Sequence, residues 1–291
     1  MHQAPVNGIG RSLRVIGKAG FNRKRSSAAR ALAACMSLDF ARIQFTPDLL
    51  PGDVTGVTVW SQEKKEFLYK QGTIMHQFIL ADEINRASPQ TQSSLLGAMQ
   101  EGSVSADGRT YPLPQPFFVI ATENTSEFVG TFPLPEGELD RFGLSISIGY
   151  PRKEQERDIL NRFRITDPFN DLKPVISPEH IIEIRSTVRK IYLSQSIQDY
   201  IIDITRETRA SKYIRLGASP RATQHLQLAA QGIALLRNRE YVIPDDVRSV
   251  LKPVLSHRLI LSPEAQMEKR TTGEVISEIV ERIPLPLGIK L

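Results

Sequence analysis

The chain of 291 residues holds a single cysteine, Cys35, so no internal disulfide can form and nothing argues for an oxidising compartment. Cys35 lies in the apolar stretch Ala-Leu-Ala-Ala-Cys-Met, which reads as a buried, inert thiol rather than a nucleophile. Histidine is sparse: His2, His76, His180, His225 and His257 are too scattered for metal-ligand spacing. Long apolar runs are missing too. None approaches the ~18 residues of a membrane-spanning helix, so membrane insertion is not expected. Acidic residues are absent from the first 38 positions, where seven Lys and Arg side chains precede Asp39.

That last absence decides how the net charge of +5 is read. Without those seven, the 37 basic residues become 30, against 32 acidic ones, so the body of the chain is slightly acidic. A nucleic-acid partner is therefore not expected. An acid-free start containing Arg and Ser also fits a transit peptide, but the segment carries remnants of a phosphate-binding motif, which argues for folded structure. With 41% hydrophobic and 24% charged residues, the chain can bury one large core or two smaller ones.

Up to about residue 150, short apolar runs alternate with helical stretches. Residues 42–45, 78–81, 117–121 and 144–148 read as strands. Phe78-Ile79-Leu80-Ala81 and Phe117-Phe118-Val119-Ile120-Ala121 are apolar throughout, as in a parallel sheet covered on both faces. Between them Ser88 and Pro89 open a helix that Gly102 ends. From about residue 173 the pattern reads as helices only. Their apolar stripes are Ile181/Ile184/Val188/Ile191, Ile197/Tyr200/Ile201/Ile204, Leu226/Ala230/Ile233 and Val247/Val250/Leu251/Val254. The expected boundaries are a basic segment over 1–28, a nucleotide-binding core over 29–152, a linker over 153–172, a helical lid over 173–265 and a tail over 266–291.

The chemistry concentrates at strand ends. Strand 78–81 runs into Asp82 and Glu83 at the edge where open α/β sheets hold ligands. Asp82 is suited to holding Mg²⁺ and Glu83 to polarising a water that attacks a γ-phosphate. The plain structural reading is a solvated acidic turn. Strand 117–121 ends in Thr122-Glu123-Asn124, where Asn124 could hold the attacking water or simply form a turn. Arg141 follows Asp140 and could pair with it. In Gly217-Ala218-Ser219-Pro220-Arg221, Arg221 occupies the first turn of a helix, where a cation is normally unfavourable unless an external phosphate stands opposite.

These segments, in this order and spacing, resemble MoxR AAA+ ATPases. So do Gln44-Phe45-Thr46-Pro47-Asp48-Leu49-Leu50-Pro51, Tyr111-Pro112-Leu113-Pro114, Tyr241-Val242-Ile243-Pro244-Asp245-Asp246-Val247 and His257-Arg258. The resemblance covers roughly residues 29–260. It implies an α/β fold: a parallel-sheet P-loop NTPase core, incomplete at the N-terminus, with an all-α lid. It implies ATP and Mg²⁺ as ligands, with Asp82 and Glu83 as the Walker B pair and Asn124 as sensor 1. Arg141 is then the arginine finger, reaching a neighbour's ATP, and Arg221 is sensor 2. A cytoplasmic homo-hexamer acting on a protein client, often one with a von Willebrand A domain, completes the implication. The segments 57–60 with 66–69, and 103–111 with its Asp-Gly turn, are by resemblance the two hairpins that line the ring's pore.

The chain departs from the family at the phosphate loop, which should read G-x-x-x-x-G-K-[ST]. Gly17-Lys18-Ala19-Gly20-Phe21-Asn22-Arg23-Lys24-Arg25-Ser26-Ser27 stands there instead, with Gly17, Gly20, Arg25 and Ser26 as the candidate nucleotide-binding residues. Counted from Gly17, Asn22 replaces the second glycine; counted back from the following helix, Lys24 does, and Arg25-Ser26 replaces Lys-Thr. Either way a Cβ stands where close phosphate approach needs glycine, and Arg is not a simple stand-in for Lys. Glu123 also replaces the family's usual Gln. Two rival readings follow: a non-hydrolysing binding or assembly subunit, and a metal-chelatase-type or nucleic-acid-remodelling AAA+ module.

Overall fold

The structure, a computed structural model, describes residues 12–17, 22–124, 131–147, 149–163, 169 and 172–286, with backbone alone for 12–17, 22–25, 124 and 163. In chain order the elements are β1 (Ser12–Gly17), α1 (Asn22–Cys35), β2 (Phe40–Gln44), α2 (Pro51–Thr55), β3 (Gly56–Ser61), β4 (Glu66–Gln71), β5 (Phe78–Asp82), α3 (Pro89–Glu101), β6 (Ser103–Ala106), β7 (Arg109–Pro112), β8 (Phe118–Asn124), α4 (Glu136–Leu139), β9 (Leu144–Ser147), α5 (Lys153–Phe163) and α6 (Pro178–Val188). They continue with α7 (Gln195–Ala210), β10 (Ile214–Leu216), α8 (Pro220–Leu236), α9 (Pro244–Leu255), β11 (Ile260–Leu261), α10 (Pro263–Met267) and α11 (Thr272–Arg282). Two compact units result: the first runs up to Leu134 and again over Ile146–Ile182, the second comprises Pro135–Ser145 and Glu183–Leu291.

The first unit is built on a five-stranded sheet in the order β2-β5-β8-β1-β9. β2, β5, β8 and β1 are mutually parallel, with Ile43 beside Ala81, Ala81 beside Ala121 and Gly17 beside Asn124. β5 is buried at all five positions, as its unbroken apolar run requires. Phe78, Leu80 and Ile120 pack with Ala29, Ala33 and Leu38 of the α1 region. α3 starts and stops where the sequence says it should: Ser88 Oγ accepts the Thr91 N–H, Pro89 takes the first turn, and Gly102 ends the helix at φ 70°. Both expected hairpins form, β3–β4 and β6–β7, the latter turning through Asp107 and Gly108 at φ 50° and 71°. Cys35 is half-buried rather than fully buried, at the end of α1.

The second unit packs α7, α8, α9 and α11 around one core that includes Ile197, Tyr200, Ile204, Leu226, Ala230, Val247, Val250 and Val254. Three expectations change here. The stripe read on residues 181–191 is only partly a core face: Ile191 enters this core, whereas α6 has no buried residue and Ile184 is exposed. The helices-only pattern is interrupted by the short antiparallel pair β10–β11. Residues 266–291, read as a tail, contain α11, where Thr271 and Glu274 form a reciprocal cap and Val275, Ile276 and Ile279 enter the core. No helix among the described residues is long and apolar enough to cross a membrane.

α9 carries a buried charge. Asp246 has no exposed surface and accepts from Arg237 Nη1 at 2.8 Å, from Arg239 Nη2 at 2.5 Å and Nη1 at 2.7 Å, and from the Ile243 N–H at 3.0 Å. Deleting one member of such a cluster strands the others. Asp246→Ala is therefore expected to destabilise the second unit by about 3 kcal/mol in urea unfolding. A loss under about 1 kcal/mol would mean that solvent already screens the pair.

Candidate functional site

The site in the first unit grows from the carboxyl ends of β5 and β8. Register places Asp82 next to Thr122, whose hydroxyl donates to Asp82 Oδ1 at 2.6 Å. Asp82 is completely buried, and its other oxygen takes three donors. Ser26 Oγ of α1 lies at 3.2 Å, Arg42 Nη2 of β2 at 2.6 Å and Arg42 Nε at 3.1 Å. A carboxylate without exposed surface is tolerable only when satisfied in this way.

Glu83 leaves the strand in the left-handed conformation, φ 56° and ψ 48°, which costs a residue with a Cβ about 1 kcal/mol. The turn is held from both sides. The Glu83 N–H donates to Thr122 Oγ1 at 2.9 Å, and the buried Gln92 amide of α3 donates to the carbonyls of Ile84 and Ala87, each at 3.1 Å. The Glu83 carboxylate accepts from Gln44 Nε2 at 3.2 Å and Arg86 Nη1 at 3.1 Å. Arg42 Nη2 also reaches Gln44 Oε1 at 2.6 Å, so one chain of hydrogen bonds joins both carboxylates through β2. Among the described residues, Ser26 Oγ and Asp82 are oxygens that could hold a hard dication.

Asn124 closes β8 and Gly17 closes β1, paired in register at the same edge. α1 begins at Asn22, so the backbone is helical at both Asn22 and Lys24, the two positions at which a phosphate loop would need its last glycine. The expectations for Gly20 fall outside the described residues, as does the side chain of Arg25.

Residues 15–144 match the family described as "ATPase family associated with various cellular activities (AAA)", and residues 206–279 match "AAA lid domain". The protein YeaC of Bacillus subtilis (strain 168) is 46% identical over 263 residues, spanning 90% of this chain and 82% of that one. The protein named Chaperone MoxR1 of Mycobacterium tuberculosis is 38% identical over 271 residues, spanning 90% of this chain and 71% of that one. A crystal structure from Cytophaga hutchinsonii, described as a candidate ATPase, superposes with a TM-score of 0.85 at 38% identity, covering 95% of this chain and 86% of that one. The chain belongs to the MoxR family of AAA ATPases.

Of the residues that the MoxR pattern singles out, Gly17, Ser26, Asp82, Glu83 and Asn124 come together at one sheet edge. Arg141 and Arg221 lie in the second unit. Arg141 Nε pairs with Glu138 at 3.1 Å, not with its neighbour Asp140. Asp140 instead accepts from Ser219 Oγ at 2.9 Å and faces Arg221 Nη1 at 3.9 Å. The sequence reading passed over Arg42, Gln44 and Thr122. A signal for the first two existed: residues i and i+2 of a strand share a face, and Gln44 is level with Asp82.

His225 lies buried beside this second cluster and accepts from Arg258 Nη2 at 2.7 Å. Burial lowers its pKa to about 4, and the Arg258 charge adds to the shift. The unfolded chain, with an ordinary histidine near 6.5, therefore binds the proton first as pH falls. Stability is complete above about pH 6.5 and is lost between there and pH 4, by on the order of 3 kcal/mol in total. Urea midpoints measured across this range should show that slope, and His225→Gln, which keeps an acceptor but cannot titrate, should flatten it.

Proposed function

We propose that this chain is a MoxR-type ATPase subunit that takes Mg-ATP at the ends of β1, β5 and β8, hydrolyses it, and uses the cycle to remodel or assemble a protein partner. The observation that carries this reading is the hydrogen bond from Ser26 to a fully buried Asp82 whose neighbour, Glu83, is held in a strained turn. It favours the register in which Arg25-Ser26 stands for Lys-Thr. In this reading Ser26 and Asp82 hold Mg²⁺, which supplies charge neutralisation on the phosphates. Glu83 orients the attacking water, Asn124 holds it from the adjacent strand, and Gly17 and Arg25 belong to the phosphate-binding segment. Arg221 takes the sensor-2 role and Arg141 the arginine-finger role that the family implies, the latter for the neighbouring subunit in a hexameric ring.

The name of Chaperone MoxR1 supports a protein client, for which the family suggests a von Willebrand A domain. The β3–β4 hairpin adds support from this chain. Trp60 and Phe67 are exposed on it and pack edge to face, ring centroids 5.1 Å apart, an apolar pair suited to an unfolded or extended segment.

The helical backbone at Asn22 and Lys24 favours a second reading, in which nucleotide binding is the impaired step and the subunit serves mainly in assembly. A helix directs its N–H groups along one axis, whereas a phosphate cradle needs them to converge around the anion. Direct titration should therefore find Mg-ATP binding at least about 100-fold weaker in the unmodified chain than in the variant Lys24→Gly/Arg25→Lys/Ser26→Thr, a difference of roughly 3 kcal/mol. Turnover in that variant should vanish on Glu83→Gln. Micromolar affinity in the unmodified chain would show the loop to be sound, and turnover that survives Glu83→Gln would remove Glu83 from the chemistry.

A further inference from the structure

The motif His257-Arg258 has no part in the chemistry above, yet Arg258 is the most heavily engaged side chain of the second unit. Its guanidinium is 1% exposed. Nε donates to Asp140 Oδ1 at 2.9 Å. Nη1 reaches the carbonyls of Gly143, at 3.3 Å, and Val254. Nη2 reaches the carbonyls of Asp140, at 3.3 Å, and Phe142, and also His225 Nδ1. The neighbouring His257 approaches the Phe142 carbonyl through Nε2 at 3.0 Å. Two consecutive side chains thus grip the backbone on both sides of Arg141.

Asp140 faces two ways. One side meets Arg258; the other meets Ser219, whose hydroxyl lies 3.0 and 2.9 Å from its two oxygens, and Arg221 at 3.9 Å. These contacts differ in strength. The bond to Arg258 is short and shielded from water, whereas the approach of Arg221 is long and its side chain is 37% exposed. Arg221 is therefore the partner that can leave, and Asp140 stays neutralised by Arg258 when it does. Burial draws Arg258 down to about 10, with Asp140 opposing the shift, so the guanidinium keeps its charge at neutral pH.

We propose that Asp140, anchored by Arg258, is a positioning residue that serves both arginines at once: it fixes the backbone carrying Arg141 and parks Arg221 until a phosphate draws it away. This rests on the roles given above to Arg141 and Arg221. It makes the two arginines a linked pair, so that a nucleotide engaging Arg221 releases one of the restraints next to Arg141.

The test uses the full chain carrying the Lys24→Gly/Arg25→Lys/Ser26→Thr loop, with Asp140→Asn, Arg221→Ala, their combination, and Arg258→Lys as a milder lesion should Asp140→Asn fold poorly. Asp140→Asn should lower kcat about tenfold while the KM for Mg-ATP moves less than about threefold, and its effect should be smaller in the Arg221→Ala background than in the parent, because only its hold on the backbone around Arg141 is then left to lose. Amide hydrogen exchange, read without nucleotide, should rise together over residues 139–143 and 217–222 in Asp140→Asn and Arg258→Lys, with α7 and α11 unchanged. Losses that multiply in the double variant would overturn the linkage. So would exchange that rises across the whole unit, as for a general core defect, or in neither segment. A parent chain that shows no turnover would count against the ATPase reading alone, since the exchange experiment decides the positioning role without it.

Discussion

A carboxylate with no exposed surface stands at the end of the most completely buried strand, and the arrangement of the first unit follows from keeping it satisfied. β5 supplies Asp82 but cannot supply partners, because its other residues are apolar. The partners come from its neighbours: Thr122 from β8 on one side, Arg42 from β2 on the other, and Ser26 from α1. The strand order β2-β5-β8 is thus also an electrostatic arrangement, since a neighbour lacking Arg42 or Thr122 would leave the buried charge short of donors. Glu83 is placed by the same contacts. Its N–H uses the Thr122 hydroxyl that already serves Asp82, and the left-handed turn that results aims its carboxylate at Gln44 and Arg86.

The second unit solves the same problem twice, for a buried anion, Asp246, and for a buried cation, Arg258. Its helices bury an apolar core that would tolerate several helix registers, whereas Asp246 and Arg258 tolerate only arrangements that deliver all their partners. Arg258 draws on the 140–143 segment, α8 and the last turn of α9, so one guanidinium joins three stretches distant in sequence. The cost of leaving such a group unpaired ties the candidate arginines of this unit to its core.

Much of the fold was legible in the sequence because its signals are local. An unbroken apolar run such as 78–81 needs cover on both faces whatever its surroundings, and Ser88, Ser219 and Gly102 act on backbone groups within four residues of themselves. The failures were those in which local pattern and tertiary neighbour disagreed. Residues 181–191 have a helical stripe, but only Ile191, beyond the end of α6, is buried. Residues 272–282, read as part of a tail, have both the stripe and the cap. At the site, Asp82, Glu83 and Asn124 were visible as polar residues interrupting apolar runs, while Arg42 and Gln44 looked like ordinary alternation on an edge strand.

The amino-acid sequence alone determined the strands that end at Asp82 and Asn124, the two hairpins, the caps, the family and the damaged phosphate motif, since each depends on residues close together or on their order. Only the tertiary structure decided which hydroxyl and which guanidinium meet Asp82, that Arg141 turns to Glu138 and not to Asp140, and that His257-Arg258 grips the segment 140–143. Apart from Arg141 and Glu138, three residues apart, spacing in the chain says nothing about such pairs. They are separated by up to 118 residues, and are selected by the cost of burying a charge without a partner once the apolar elements have packed.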